Sequence, residues 1–383
     1  MDKKKGIFSM KDKITDFFSS RIGIIVTGAV IGILGPLLQK FGNPKNMGVC
    51  VACFERDIAG ALGLHRAAAV QYIRPEIIGF VLGSLIAALL FNEFKARGGS
   101  APIVRFILGF FAMVGALVFL GCPWRAWFRF AGGDLNGLVG LIGLAVGILI
   151  GIFFLKNGYN LGRSHSCKKA AGWAFPGIMI ALLILAIMQP RFGADGTGPI
   201  FNSESGPGSM HAPLIISLCA GLIIGFIAQR TRFCTVGAIR DVVMFKDTYL
   251  ISGVLALGVF AFLTNLVLGQ FNPGYSNMPI AHSNLLWNLL GMILSGLAYT
   301  LAGGCAGRQL FLGGEGDMDA GIFVLGMITG AAFSHNFGLA GAANSVVDGV
   351  TKVWQPNTQT MIAVCLGLIV CIVIGLTNRD KID

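Results

Sequence analysis

The chain has 383 residues, 55% of them hydrophobic and 12% charged, and a formal net charge of +11. A mean hydropathy of +0.75 excludes a soluble globular domain, where about 25% of residues carry charge, and long uncharged runs mean membrane spans. The positive charge does not call for a nucleic-acid partner, because the lysines gather at span ends, as the positive-inside rule requires.

Residues 1–21 form a basic cytoplasmic arm. The apolar run from Ile22 to Leu38 lacks a small-residue cleavage pattern and reads as a first span, not a cleaved signal. Ten segments approach bilayer-crossing length, near 22–39, 76–92, 101–121, 136–156, 172–190, 212–229, 248–269, 284–303, 320–340 and 359–377. Loop charge sets their orientation. Lys3, Lys4, Lys5, Lys11 and Lys13 of the arm fall on one side with Lys95, Arg97, Arg163, Lys168 and Lys169. Arg230, Arg232, Lys246, Arg379 and Lys381 join them. The opposite side carries Arg191, Lys352 and a neutral 270–283 loop, with an exception in the first long loop, Lys40, Lys45, Arg66 and Arg74. Both termini are expected in the cytoplasm.

Two motifs repeat in one register. Cys50-x5-Arg56-Asp57 returns as Cys234-x5-Arg240-Asp241, 184 positions on, and Gly121-Cys122-x2-Arg125 returns as Gly304-Cys305-x2-Arg308, 183 on. Asp134 and Asp317, Gly143 and Gly326, and Gly147 and Gly330 keep the offset of 183. The chain is therefore expected to be a duplication, with membrane repeats at 22–156 and 212–340. An inter-repeat span and polar loop lie at 157–211, and a C-terminal loop, span and tail at 341–383. Five spans separate the repeat starts, so the repeats are inverted, which is the architecture of a transport path with irregular backbone at mid-membrane. The Cys50 and Cys122 loops then enter from outside and the Cys234 and Cys305 loops from inside. Small-x3-small spacings such as Gly28-x3-Gly32, Gly79-x3-Gly83 and Gly221-x3-Gly225 read as close helix packing.

Arginine in an apolar surround marks a cavity, a carboxylate or an anion. A thiol is cheap to desolvate and polarizable, and matches soft sulfur or selenium better than a hard oxyanion. Several weak soft sites favour conduction over one strong one. The alternative for the arginines is structural: Arg56 with Asp57, Arg240 with Asp241, Arg125 with Asp134 and Arg308 with Asp317 as ion pairs that fasten the loops. Cys219, Cys365 and Cys371 lie in spans as small hydrophobes, and Cys167 sits in a basic loop. Cys50-x2-Cys53 has the spacing of a redox pair or half a zinc site, yet Gly237 replaces Cys53 in the second repeat and the five histidines are scattered. No metal or other cofactor is expected, and no phosphate-binding Gly-x4-Gly-Lys loop is present. Glu55 and Glu76 are the intramembrane acids with which proton coupling would be tested.

The cysteine loops also carry a resemblance. Asn46 through Gly60, Gln71-Tyr72-Ile73-Arg74-Pro75-Glu76, Gly121-Cys122-Pro123-Trp124-Arg125, Arg232-Phe233-Cys234 and Gly303-Gly304-Cys305-Ala306-Gly307-Arg308 make the chain similar to the YeeE/YedE membrane family. That family includes thiosulfate uptake proteins, and the chain most resembles its YedE branch, associated with selenium metabolism. The resemblance implies an hourglass of inverted repeats whose loop cysteines hand a sulfur-containing anion through a constriction. It carries this role to Cys50, Cys122 and Cys305, and by symmetry to Cys234. Cys53 and the extended first loop with Leu64-His65-Arg66 depart from the thiosulfate-type pattern.

The expectation is an all-α integral membrane protein of nine to ten spans in a bacterial inner membrane, with re-entrant cysteine loops. Its function would be a permease for a small sulfur or selenium anion, serving uptake for selenium metabolism, and not an enzyme. Its translocation residues would be Cys50, Cys53, Cys122, Cys234, Cys305, Arg56, Arg125, Arg240, Arg308 and Glu55, with membrane lipid around it and a cytoplasmic sulfur or selenium carrier as a further partner. The alternatives are thiosulfate uptake, and a membrane sulfur- or selenium-transfer enzyme forming a persulfide on Cys50 or Cys53.

Overall fold

The computed structural model describes residues 2–190 and 198–379, with side chains from Lys11 onward. Arg191 and Lys381, used above for orientation, lie outside the described residues, as do the side chains of Lys3, Lys4 and Lys5 and the 193–197 part of the polar loop. Helix dominates. The first half runs α1 (Asp2–Ser19), α2 (Arg21–Lys40), α3 (Val51–Ala61), α4 (Pro75–Leu90), α5 (Pro102–Phe119), α6 (Pro123–Ala131) and α7 (Leu135–Lys156). A connector follows with α8 (Lys169–Gly172) and α9 (Ala174–Met188). The second half runs α10 (Leu214–Thr231), α11 (Thr235–Phe245), α12 (Tyr249–Val267), α13 (Leu285–Ala302), α14 (Ala306–Gly314), α15 (Met318–Asn336) and α16 (Thr358–Thr377). Two small antiparallel pairs, β1 (Arg97–Gly98) with β2 (His165–Ser166) and β3 (Ser345–Val347) with β4 (Val350–Lys352), lie in loops.

Local chemistry explains where the helices begin. Pro75, Pro102 and Pro123 open α4, α5 and α6, where the missing N–H costs nothing. Ser20, Asp134, Asn284, Asp317 and Asn357 cap α2, α7, α13, α15 and α16 by accepting from amides of the first turn, satisfying donors that the helix leaves open.

Each of the ten expected spans falls on a helix. Among the described residues eight segments are long and apolar enough to cross a membrane; α4 and α9 are shorter, at 16 and 15 residues. Ile178, Ile184 and Ile187 on α9, and Ile362, Leu366 and Ile369 on α16, are exposed, as a lipid-facing surface requires. The four helices that follow the motif cysteines are different. At 11 residues for α3 and α11, and 9 for α6 and α14, each reaches only about 14–17 Å, roughly half of the ~30 Å apolar thickness.

The packing is two-fold in pattern. Helix α4 packs on α10 as α12 packs on α2, α7 on α13 as α15 on α5, and α5 on α13. Exchanging each helix for its repeat mate reproduces the same set of pairs. The approach is close enough to demand glycine: a Cβ on Gly28 of α2 would strike the Gly253 carbonyl of α12, and one on Gly79 of α4 would strike the Gly221 backbone of α10. Backbone-to-backbone packing of this kind holds helices together in lipid, where burial of apolar area gives no drive.

The bundle has two ends. At the first, Leu135 at the start of α7 bonds the Gly274 carbonyl and Asn336 at the end of α15 bonds that of Leu64. At the second, Arg97 bridges to Asp317 at the start of α15 and Tyr159 bridges to Arg379 beyond α16. Lys11 reaches Leu90, and Arg230 pairs with Glu93, at this second end too. The basic loops assigned to one side from sequence thus meet at one end of the bundle.

Candidate functional site

Each of the four repeated cysteines is the N-cap of a half-helix: Cys50 of α3, Cys122 of α6, Cys234 of α11 and Cys305 of α14. The α3 and α6 loops dip from the first end and the α11 and α14 loops from the second. Within each repeat the two cysteines meet. The Cys122 amide donates to the Cys50 sulfur at 3.5 Å, and the Cys305 amide to the Cys234 sulfur, also at 3.5 Å. Cys50 and Cys234 additionally accept from the amides three residues on, Cys53 at 3.4 Å and Gly237 at 3.2 Å. The Cys50 thiol lies in hydrogen-bonding reach of the Cys53 and Cys122 side chains, and Cys234 of Cys305. The result is two thiol clusters at helix N-termini, where partial positive charge and free amides favour an anion.

The arginines divide into two kinds. Arg56 pairs with Asp57 at 2.7 Å, fully inside the protein, and Arg240 with Asp241 at 2.8 Å in a partly exposed setting, as the sequence suggested. The other two expected pairs do not form. Asp134 goes to Arg129 at 2.7 Å, because α6 ends one turn after Arg125 and the chain doubles back there; Asp317 goes to Arg97 of the 91–101 loop at 2.8 Å. Arg308 turns instead to Glu315 at 3.3 Å. Among the described residues Arg125 meets no carboxylate. It donates to the Asn46 carbonyl at 3.1 Å, the Ile280 carbonyl at 2.7 Å and the Cys53 sulfur at 3.2 Å. A buried cation satisfied only by neutral acceptors retains its attraction for an anion.

Glu55 is fully buried and neither of its oxygens has a partner. Glu76 is engaged, accepting from Asn43 and Ser217, both at 2.8 Å, so it ties α4 to the first loop and to α10. Asp57 also receives Arg74 at 2.7 Å, and Arg74 bonds the carbonyls of Met210 and Pro207. That cation therefore fastens the polar loop over α3. In the loop after α3, burial pushes His65 below the ordinary imidazole value, against its bond to the Arg56 carbonyl.

Sequence reasoning missed four residues here. Arg129 and Arg97 take the acids meant for others. Tyr299 is fully buried with a hydroxyl that has no partner. Trp124 is buried against Phe80, Phe233 and Phe311, its Nε1 without an acceptor. The one signal available was asymmetry: Trp124 and Tyr299 stand where the other repeat has Gly307 and Ala116.

Two of the cavities lie at opposite ends of the bundle, each lined in part by residues of the half-helices or the loops before them. The first, about 460 Å³, is lined by Lys40, Lys45, Asn46, Phe128 and Gln270 among others, and its Asn46 wall is the residue that holds Arg125. The second, about 330 Å³, is lined by Lys95, Arg97, Arg232, Arg308, Glu93 and Glu315. They occupy equivalent places in the two repeats, since Phe128 and Gly132 correspond to Phe311 and Glu315, and the 265–272 stretch to the end of α4. The half-helices form the waist between them.

Part of the chain is similar in sequence to known proteins. The family model described as sulphur transport matches residues 230–382, a stretch that includes Cys234, Arg240, Cys305 and Arg308. The thiosulfate transporter TsuA of Spirochaeta thermophila is 38% identical over 104 residues, 26% of this chain and 29% of that protein. The thiosulfate transporter TsuA of Escherichia coli is 29% identical over 113 residues, 28% of this chain and 30% of that protein. The matched stretches thus span less than a third of either relative.

Proposed function

We propose that the chain is a membrane transporter that passes a small sulfur-containing anion through the thiol-lined waist, with thiosulfate as its first cargo and the YeeE/YedE family as its kin. The observation that carries this reading is the convergence of four cysteine-capped half-helices, two from each end of an inverted-repeat bundle. Half-helix N-termini aimed at a central site are how such bundles hold anions. The similarity to proteins named for sulphur and thiosulfate transport supports the same cargo class.

In this reading Lys40 and Lys45 raise the local concentration of anions at the first cavity. Arg125 draws the anion inward, and its soft sulfur exchanges water for the thiols of Cys50, Cys53 and Cys122. Cys305 and Cys234 receive it on the far side, and Arg308 and Arg232 lead it into the second cavity. Each station is weak, which permits release. The second end faces the cytoplasm of a bacterial cell, and a soluble carrier would take the cargo there. A selenium analogue is the second cargo to test, since a thiol suits either element.

Uptake of labelled thiosulfate, selenite and selenide by cells with this protein as their only route tests the proposal. Thiosulfate accumulation is the expected outcome. Accumulation of none of the three, together with a persulfide trapped on Cys50, would replace the transporter with a sulfur-transfer enzyme.

A further inference from the structure

One side chain of the first repeat reaches the residues that flank both cysteines of the second. Trp124 lies two residues past Cys122, yet its ring packs at 5.7 Å from that of Phe233, the residue before Cys234. The same indole lies against Gly307, two residues past Cys305: a Cβ there would sit 3.1 Å from Trp124 Cζ2. Trp124 and Gly307 are equivalent positions of the two repeats. Close to a two-fold axis, two indoles would compete for one volume, so one repeat supplies the bulk and the other the space. Phe80 and Phe311 flank the ring at 5.8 and 6.1 Å and complete an apolar plug. Its polar edge is left over, because Nε1 is buried without an acceptor, an arrangement that costs stability unless something bonds it in another state.

We propose that Trp124 is the partition of the path: its indole divides the Cys50–Cys53–Cys122 cluster from the Cys234–Cys305 cluster, and its displacement sets which anions cross. The inference rests on the transporter reading. It adds a residue outside the thiol and arginine set and assigns selectivity to an apolar wall. In the closed arrangement the indole fills the waist. An anion that reaches the first cluster passes when the ring swings from Gly307, with Nε1–H available as a donor to the anion's oxygens. Hard, fully hydrated sulfate gains nothing from the thiols and does not displace the ring.

The test uses the full-length protein in cells and in inside-out vesicles, with the impermeant anionic reagent methanethiosulfonate ethylsulfonate and mass mapping of modified cysteines. In the wild type each cluster is modified from its own side alone. Trp124→Gly is expected to let reagent applied on one side reach the far cluster, raising that rate by about tenfold or more, and to admit labelled sulfate. Trp124→Phe restores the separation. Gly307→Ala, which presses on the indole without altering it, slows thiosulfate uptake and serves where Trp124→Gly fails to fold. A labelling pattern in folded Trp124→Gly identical to the wild type, or unchanged uptake in Gly307→Ala, overturns the partition. Labelling does not depend on the cargo, so absent thiosulfate uptake in wild-type cells, together with the altered labelling in Trp124→Gly, rejects the transport reading alone.

Discussion

The amide of Cys305 meets the sulfur of Cys234 at 3.5 Å, the same separation at which the amide of Cys122 meets the sulfur of Cys50. One contact has been built twice, once from each end of the bundle. In both, a half-helix N-terminus is placed against the thiol that caps its neighbour, so two helix dipoles point into one small volume. An anion at either cluster would meet two helix N-termini of one repeat, with the Arg125 guanidinium beside the first cluster.

The thiols are therefore expected to matter for passage more than for folding. Cys122→Ala and Cys305→Ala each remove a small buried group at a cost of about 1 kcal/mol, and the backbone amides of the clusters stay. Both variants are expected to insert and purify as folded protein yet lose most thiosulfate uptake. Normal uptake by both would reduce these cysteines to packing.

The arginines separate by what they face. Arg125 holds only neutral acceptors, so Arg125→Gln is expected to leave the fold intact. A hydrogen bond to a charged group contributes roughly 1.5–3 kcal/mol, so the concentration for half-maximal uptake should rise about tenfold or more. Asp57→Asn instead strands Arg56 and Arg74, both buried on one carboxylate. Breaking such a pair costs about 3–5 kcal/mol, and the expected result is a lower yield and unfolding temperature. Equal thermal stability of the two variants would show that this division is wrong.

Much of this was legible beforehand, and the limits are physical. The helices were readable because apolar length and glycine spacing are local properties. The pairing of Cys50 with Cys234 and of Cys122 with Cys305 was readable because each pair kept its register. What the sequence hid was geometry at helix ends. Nothing in Trp124 through Asp134 says that Arg129, not Arg125, turns back onto the acid, nor that Asp317 takes its partner from a loop 220 positions away. Trp124 and Tyr299 escaped because a search for symmetry rewards what repeats, and these residues matter by standing where their mates are absent.

The ends of the bundle can be told apart chemically. Lys45 lines the cavity at the first end, and Lys246 caps α11 at the second. With cysteine substituted at each, an impermeant thiol reagent applied to intact cells should modify position 45 and spare 246, and inside-out vesicles should reverse this. Modification of both from the same side would contradict the inverted repeats and the placing of the cysteine loops.

Cys53 is where transporter and enzyme part company. A thiol-exchange pair would need both sulfurs of Cys50-x2-Cys53, and Cys53→Ala would then abolish function as completely as Cys50→Ala. The structure gives Cys53 a lesser task. Its sulfur accepts one bond from Arg125 at 3.2 Å, while two carbonyls hold the same guanidinium. Gly237 stands in its place in the second repeat, where the amide still reaches the cysteine sulfur, at 3.2 Å. Alanine at 53 preserves the equivalent amide bond to Cys50 and frees one donor of Arg125 for the anion. Cys50 has no such substitute, since its sulfur receives the amides of both Cys53 and Cys122. Uptake by Cys53→Ala is thus expected to keep a substantial fraction of the wild-type rate with a shifted affinity, while Cys50→Ala loses nearly all of it. Total loss in Cys53→Ala, with a persulfide recovered on Cys50 of the wild type, would assign the cluster to sulfur transfer instead.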